Sequence, residues 1–530
     1  MRKETRPYIW LSVILLLTGC SGHRHDDKQI FRYNESAGIA TLDPAFAKDQ
    51  SIIWPCRQLY NGLIQLDTNL QVLPCIAKSW IISPDGLTYT FTLRDDVFFH
   101  RNALFSNSDS TRRVVAEDFR YSFERVLNSD IASPGAWIFR DVERFEVVDD
   151  TTFVIRLKTP FAPFLSQLGM VYCSVVPHEV TEHYGKDFRN HPCGTGPFLF
   201  QYWKEGVKLV LRKNPNYFEE GLPYLDAVAI TFIVDKQTVF LEFLKGNLDF
   251  MNSIDASYKD ELLTPQGKLN DKYVARINMT STPYLNTEYL GFNMASDLKI
   301  KNPKLIRQAI NHGFDRRKMM RYLRNNVGMP GVDGFVPIGL PGFDSLTSYG
   351  YEYNPERAKQ LLAEAGYPGG EGLPHLKLAT TSSYLDLCKY IQQQLGLIGI
   401  AVDVDVNPPA ALREQIAQGK SIWFRGSWIA DYPDAENYLS LFYSPNHSPA
   451  GPNYTRFTSK QFDRLYVQAR RCTDPDRRIA LYRQMDSIVM QEAPVVVLYY
   501  DQVLHFTHKN ITGLRSDAMN TLDLKRVIKN

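Results

Sequence analysis

The chain has 530 residues, 44% of them hydrophobic and 22% charged, with a formal net charge of +2. That is ordinary globular composition, enough for about three to four domains at ~150 residues each. The net charge argues neither for a nucleic-acid surface nor for an acidic partner, and no internal repeat or low-complexity block occurs.

Arg2, Lys3 and Arg6 precede an apolar run from Tyr8 to Leu17 that is too short to span a bilayer. Leu17-Thr18-Gly19-Cys20 then resembles a bacterial lipobox, where small residues lead to a cysteine whose thiol takes a diacylglyceryl group. Residues 1–19 are therefore expected to be a signal peptide, Cys20 the lipidation site, and 20–28 a lipidated tether. His23 and His25 in that tether have no further ligands nearby for a metal. Six cysteines remain, and an even number in an exported chain permits disulfides. Spacing does not give connectivity; proximity alone suggests 56/75 and 173/193.

Pro84-Asp85-Gly86 predicts a turn, and Leu87, Tyr89, Phe91 and Leu93 then alternate with polar residues as a half-buried strand does. Val115 to Arg125 reads as a helix with Phe119 and Phe123 on one face, after a polar stretch from Phe105 to Arg113. Cys193-Gly194-Thr-Gly-Pro-Phe198 is glycine-rich, but Pro197 and the missing helix start argue against a phosphate loop. Strands are expected at Lys208–Leu211 and Val228–Val234, and a helix at Leu241–Gly246. Asn302-Pro303 and Asn354-Pro355 open two further helices, the second stopping at Gly366. Leu376 to Ala379 is a strand, Tyr384 to Leu395 a helix, Ile400 to Val406 a strand, and Ala411 to Ile416 a short helix closed by Gly419. A third apolar run, Ile422 to Ile429, ends at Asp431-Tyr-Pro-Asp434. Successive β-α-β units give neighbouring parallel strands, and ligands bind beyond their carboxyl ends, where Asp431 falls. The same four residues also make a good turn.

Catalytic patterns are missing. His178 and His183 stand at i and i+5, about 140° apart on a helix, where a zinc pair needs i and i+4. Gly419-Lys-Ser421 ends like a phosphate loop but has Glu414 at the first glycine position. No Gly-x-Ser-x-Gly elbow occurs.

Trp428-Ile-Ala-Asp431-Tyr-Pro-Asp434 with Glu436-Asn-Tyr-Leu439 resembles a segment of the dipeptide- and oligopeptide-binding proteins that serve ABC importers. Ala40-Thr-Leu-Asp-Pro-Ala45, Gln58 to Leu63, Ala77-Lys-Ser-Trp80, Ser83 to Arg94, Tyr289-Leu-Gly-Phe-Asn293, Ile306 to Ile310, Phe462 to Leu465 and Glu492 to Leu498 extend the likeness from about Phe31 to the C-terminus. It implies a two-lobed α/β fold of the periplasmic-binding-protein type, with a hinge and an extra inserted domain. The first lobe would be residues 29–57, 192–278 and 497–530, the inserted domain 58–191, and the second lobe 279–496. The implied function is capture of short peptides in a closing cleft for ABC permease subunits, by a monomer lipid-anchored on the periplasmic or cell-surface side of a bacterial membrane. It implies no enzyme activity, metal, cofactor or nucleic acid. Asp431 would pair with the peptide's ammonium group, which cannot be desolvated without a charged partner. Ser427 and Ile429 would offer backbone bonds, and Trp423, Trp428 and Tyr432 would line the site or fill the core. Arg425 and Arg413 would meet a carboxylate or serve structure. Nickel chelates, haem, opines and oligosaccharides are the rival ligands in the family; an exported hydrolase is the rival outside it.

Overall fold

The computed structural model describes residues 28–530 apart from 256, 298, 344 and 346–348. Cys20, the signal peptide and the tether before Lys28 lie outside the described residues. Two long antiparallel strands carry the architecture: Ile277–Phe292, of 16 residues, and Val495–His508, of 14. Ile277 faces His508 at one end of the ladder and Gly291 faces Val495 at the other, with a register shift between Pro283 and Thr287. Proline brings no N–H to a ladder, so a break there is expected.

The break divides one eleven-stranded sheet into two halves. On one side Phe250–Asn252 pairs with the C-terminal end of Val495–His508. The sheet continues through Ile30–Asn34, Ala227–Thr231, Lys208–Lys213 and Phe198–Lys204. On the other side Trp423–Ile429 pairs with Asn286–Phe292, followed by Leu376–Thr380 and Val402–Val406. The stretch Val495–Tyr500 is buried at every residue, the mark of a central strand covered on both faces.

A separate four-stranded antiparallel sheet runs in the order Ala77–Ile82, Thr88–Leu93, Thr152–Leu157, Val142–Asp149. Gly86 closes its first turn at φ +69°, its N–H donating to Ser83 O at 2.8 Å. Tyr89, Phe91 and Leu93 point inward as the alternation predicts. Helix Ala116–Leu127 lays Phe119 and Phe123 on this sheet, with the Phe123 and Phe139 rings stacked 4.6 Å apart.

Three expectations are corrected. Leu376–Thr380 lies between Val402–Val406 and Trp423–Ile429, so the last crossover skips a strand. Winding reverses at Leu376–Thr380, and such a reversal opens a crevice beyond the strand ends. Helix Pro303–His312 begins as expected, but Asn302 adopts φ 44° and makes no side-chain cap, unlike Asn354, whose Oδ1 accepts Arg357 N–H at 2.9 Å. The 56/75 and 173/193 disulfides are absent: all four thiols are free and buried. Cys173 donates to Gln167 O and Cys193 to His100 O, and burial pushes every one of the four pKa values up.

Candidate ligand-binding site

The strand Trp423–Ile429 presents two different edges. In an antiparallel pair, bonded and non-bonded positions alternate. Ala430 N–H donates to Leu285 O at 2.9 Å. Counting back by twos, Trp428, Gly426 and Phe424 bond to the long strand Ile277–Phe292. Arg425, Ser427 and Ile429 therefore turn their N–H and C=O groups to the opposite edge. There Leu376–Thr380 pairs only with Trp423 and Phe424. Among the described residues, no strand pairs with that edge from Arg425 to Ile429. Gly426 is required for close packing, since a Cβ there would sit 2.8 Å from Cζ of Tyr289.

Asp431 follows this open edge. Its side chain is exposed, but to a recess of about 340 Å³ walled by protein. Burial raises its carboxyl above the usual range, opposed only by Asn437. Asn437 holds three groups at once. Its Nδ2 donates to Asp431 Oδ2 at 3.2 Å, and its Oδ1 accepts the Asp431 backbone N–H at 3.2 Å and Trp428 Nε1–H at 2.8 Å. The short helix Ala435–Leu439 that carries Asn437 is buried throughout, with Asp434 accepting the Glu436 N–H at its start.

Glu436 is occupied elsewhere. The hydroxyls of Tyr432 and Tyr466 both donate to it, and Arg470 Nε stands 3.7 Å away. Arg470 also reaches out of this half of the molecule to Asp141 Oδ2 at 2.8 Å, with its guanidinium 4.6 Å from the centre of the Phe161 ring. Trp137, beside the four-stranded sheet, approaches Tyr432 with ring centres 6.1 Å apart. The recess is thus built from both units.

Trp428, Asp431 and Tyr432 line the recess; Trp423, Arg425, Ser427 and Ile429 do not. Trp423 is 2% exposed and stacked on Phe292 in the core, with centres 5.5 Å apart. Arg425 is ion-paired with Glu288 and stacked over Tyr384. It is already neutralised. Arg413 is exposed. Sequence reasoning gave no role to Asn437, Glu436, Arg470 or Trp137. Two polar residues, Glu436 and Asn437, inside the buried helix segment Ala435–Leu439 were the available signal, because buried polar groups need partners.

The family model for bacterial extracellular solute-binding proteins, family 5 Middle, matches residues 71–450. The chain belongs to this family. It is a solute-binding protein. Glutathione-binding protein GsiB of Salmonella paratyphi A is 29% identical over 484 residues, covering 90% of each chain. Among solved structures, Helicobacter pylori DppA, an ABC transporter-associated periplasmic binding protein in complex with the peptide STSA, superposes with a TM-score of 0.78 at 27% identity, covering 94% of this chain and 98% of its own. HbpA2 of Haemophilus parasuis gives 0.81 at 25%, covering 94% and 100%. The fold is the two-lobed, mixed α/β fold of periplasmic binding proteins. Among the described residues no helix is long and apolar enough to cross a membrane.

Proposed function

We propose that this protein is the receptor of an ABC importer for short peptides with a free α-ammonium group, and that it binds its ligand rather than transforming it. One observation carries the reading: a carboxylate with no offsetting cation, Asp431, faces a recess directly beyond an unpartnered strand edge. A peptide laid antiparallel on the edge beyond Arg425 would exchange main-chain bonds with Ser427 and Ile429. Its ammonium would neutralise Asp431. Main-chain recognition of this kind tolerates many sequences of limited length. The glutathione- and peptide-binding relatives support a peptide-like ligand, and a lone carboxylate disfavours anionic ligands such as haem or opines.

The lobes would be 29–57 with 192–278 and 497–530, and 279–496, with 58–191 inserted. The break at Pro283 in the long strands supports a pivot there. Delivery to a permease and anchoring through Cys20 complete the reading. Because stable anchoring takes more than one acyl chain, Cys20→Ala should move the protein from the membrane to the soluble fraction.

Calorimetry with a free and an N-acetylated peptide, each against wild type and Asp431→Ala, tests the amine site. Leaving one partner of a desolvated charge pair alone costs on the order of 3 to 5 kcal/mol, or roughly two to four decades in Kd. Either change should cost that much, and both together little more, since they break one contact. Equal affinity of wild type for the free and acetylated peptides removes Asp431 from the site.

A further inference from the structure

The recess beside Asp431 has a wall composition that the amine site alone does not need. Trp137, Phe161 and Phe164 come from the four-stranded unit, Trp428 and Tyr443 from the opposite half, and Asp431 stands among them. Trp137 is 40% exposed, a large apolar side chain left facing the opening, whereas Phe161 and Phe164 behind it are 5% and 1% exposed. The recess holds about 340 Å³, which is room for one large side chain.

Its other acids are already matched. Glu436 takes two tyrosine hydroxyls with Arg470 nearby, and Arg470 takes Asp141. Arg140 stands exposed on the lining. The back wall is therefore a closed network in which every acid has a donor, and Asp431 alone has none with positive charge. With Asp431 taken by the peptide's ammonium, a cationic side chain entering there would have to break the Arg470 bridge to find an acid. An anionic one would be brought up to Asp431 and Glu436. An apolar ring displaces water from apolar walls and meets ring edges and faces on both sides.

We propose that this recess receives the first side chain of the bound peptide and selects a bulky aromatic one. The inference rests on the amine reading above, because an ammonium at Asp431 puts the adjoining side chain at the mouth of the recess. It assigns Trp137, from the inserted unit, as a determinant of specificity. The walls come from two units, so an aromatic first residue also bridges them.

The test is calorimetry of the full chain with three tripeptides, Phe-Ala-Ala, Ala-Ala-Ala and Lys-Ala-Ala, and with N-acetylated Phe-Ala-Ala. The Phe-led peptide should bind about ten- to a hundredfold tighter than the Ala-led one, the gain from fully burying one phenyl ring. Trp137→Ala should cut that ratio by about three- to tenfold, weakening Phe-Ala-Ala more than Ala-Ala-Ala. Trp137→Phe should keep the ratio. Trp137 is half out of the core, so both variants should melt as wild type does. Equal binding of Phe- and Ala-led peptides overturns the proposal, as does tightest binding of the Lys-led one, or an equal loss for both peptides in Trp137→Ala. If the side-chain preference fails while acetylation still abolishes binding, the amine reading stands without it. If acetylation has no effect, or no peptide binds, both fall.

Discussion

Glu288, on the long strand Ile277–Phe292, and Asp431, just past the end of its partner Trp423–Ile429, are two carboxylates with opposite fates. Glu288 has a side chain 4% exposed and is paired with Arg425, itself 12% exposed. Burial pushes its carboxyl up, and Arg425 pulls it back. Asp431 feels the same push, but only the neutral amide of Asn437 opposes it. A buried charge is tolerated when it is paired. The pair at Glu288 is therefore a finished piece of structure, while among the described residues Asp431 has no cation opposing its burial.

The comparison is broken most forcefully at Glu288. Glu288→Ala leaves Arg425 buried alone and should cost about 3 to 5 kcal/mol of stability, read from denaturant unfolding. Asp431→Ala should leave stability within about 0.5 kcal/mol while removing peptide binding. Equal stability losses in the two variants would erase the distinction.

Asn437 sharpens the contrast. Losing its bond to a charged group should cost about 1.5 to 3 kcal/mol of peptide affinity, or roughly ten- to a hundredfold. The pH dependence carries a sign. On the proposed amine reading, peptide binding needs Asp431 ionised, so affinity should be lost as pH falls through its pKa. Asn437 lowers that pKa, so Asn437→Ala should raise it and start the loss at higher pH. The groups around Asp431 are Tyr172, Tyr438, Tyr432, Glu436 and Arg470. An Asp431→Asn background should abolish the shift. A shift that persists there belongs to Glu436.

The smallest effect comes from a third carboxylate, Asp486, which is 1% exposed. Asp486 accepts N–H groups from Phe335 at 2.8 Å and Val336 at 3.3 Å, and its pKa is raised by burial to about 6. The folded state then binds its proton more readily than the unfolded one. Stability should rise as pH falls from about 6 toward 4, by at most about 1.4 kcal/mol per pH unit. Asp486→Asn should flatten that rise in melts across the range.

Much of the fold was legible locally. The turn at Pro84-Asp85-Gly86 and the alternation of Tyr89, Phe91 and Leu93 are written within a dozen residues, and period-two burial follows directly from strand geometry. The same holds for the parallel strands at 376–380 and 402–406 and for the helix Leu385–Gly396 between them. Asp431 beyond the end of the third apolar run was also readable, since a Pro-containing acidic turn must end a strand. The placement of Trp423 and Arg425 was not. Both sit on that run among aromatic and polar neighbours, and nothing local distinguishes a core ring from a pocket wall.

What the sequence determined by itself was the set of elements and their faces, because periodicity and turn chemistry act over a few residues. Only the tertiary structure decided the partners. Arg425 meets Glu288 across 137 positions and Arg470 meets Asp141 across 329. Cys56 and Cys75, only nineteen positions apart, do not meet. The open edge at Arg425–Ile429 exists because the neighbouring strand stops pairing at Phe424. Which charges are neutralised, which thiols lie apart and which edge stays unpaired depend on how distant segments pack, and spacing along the chain carries no record of that.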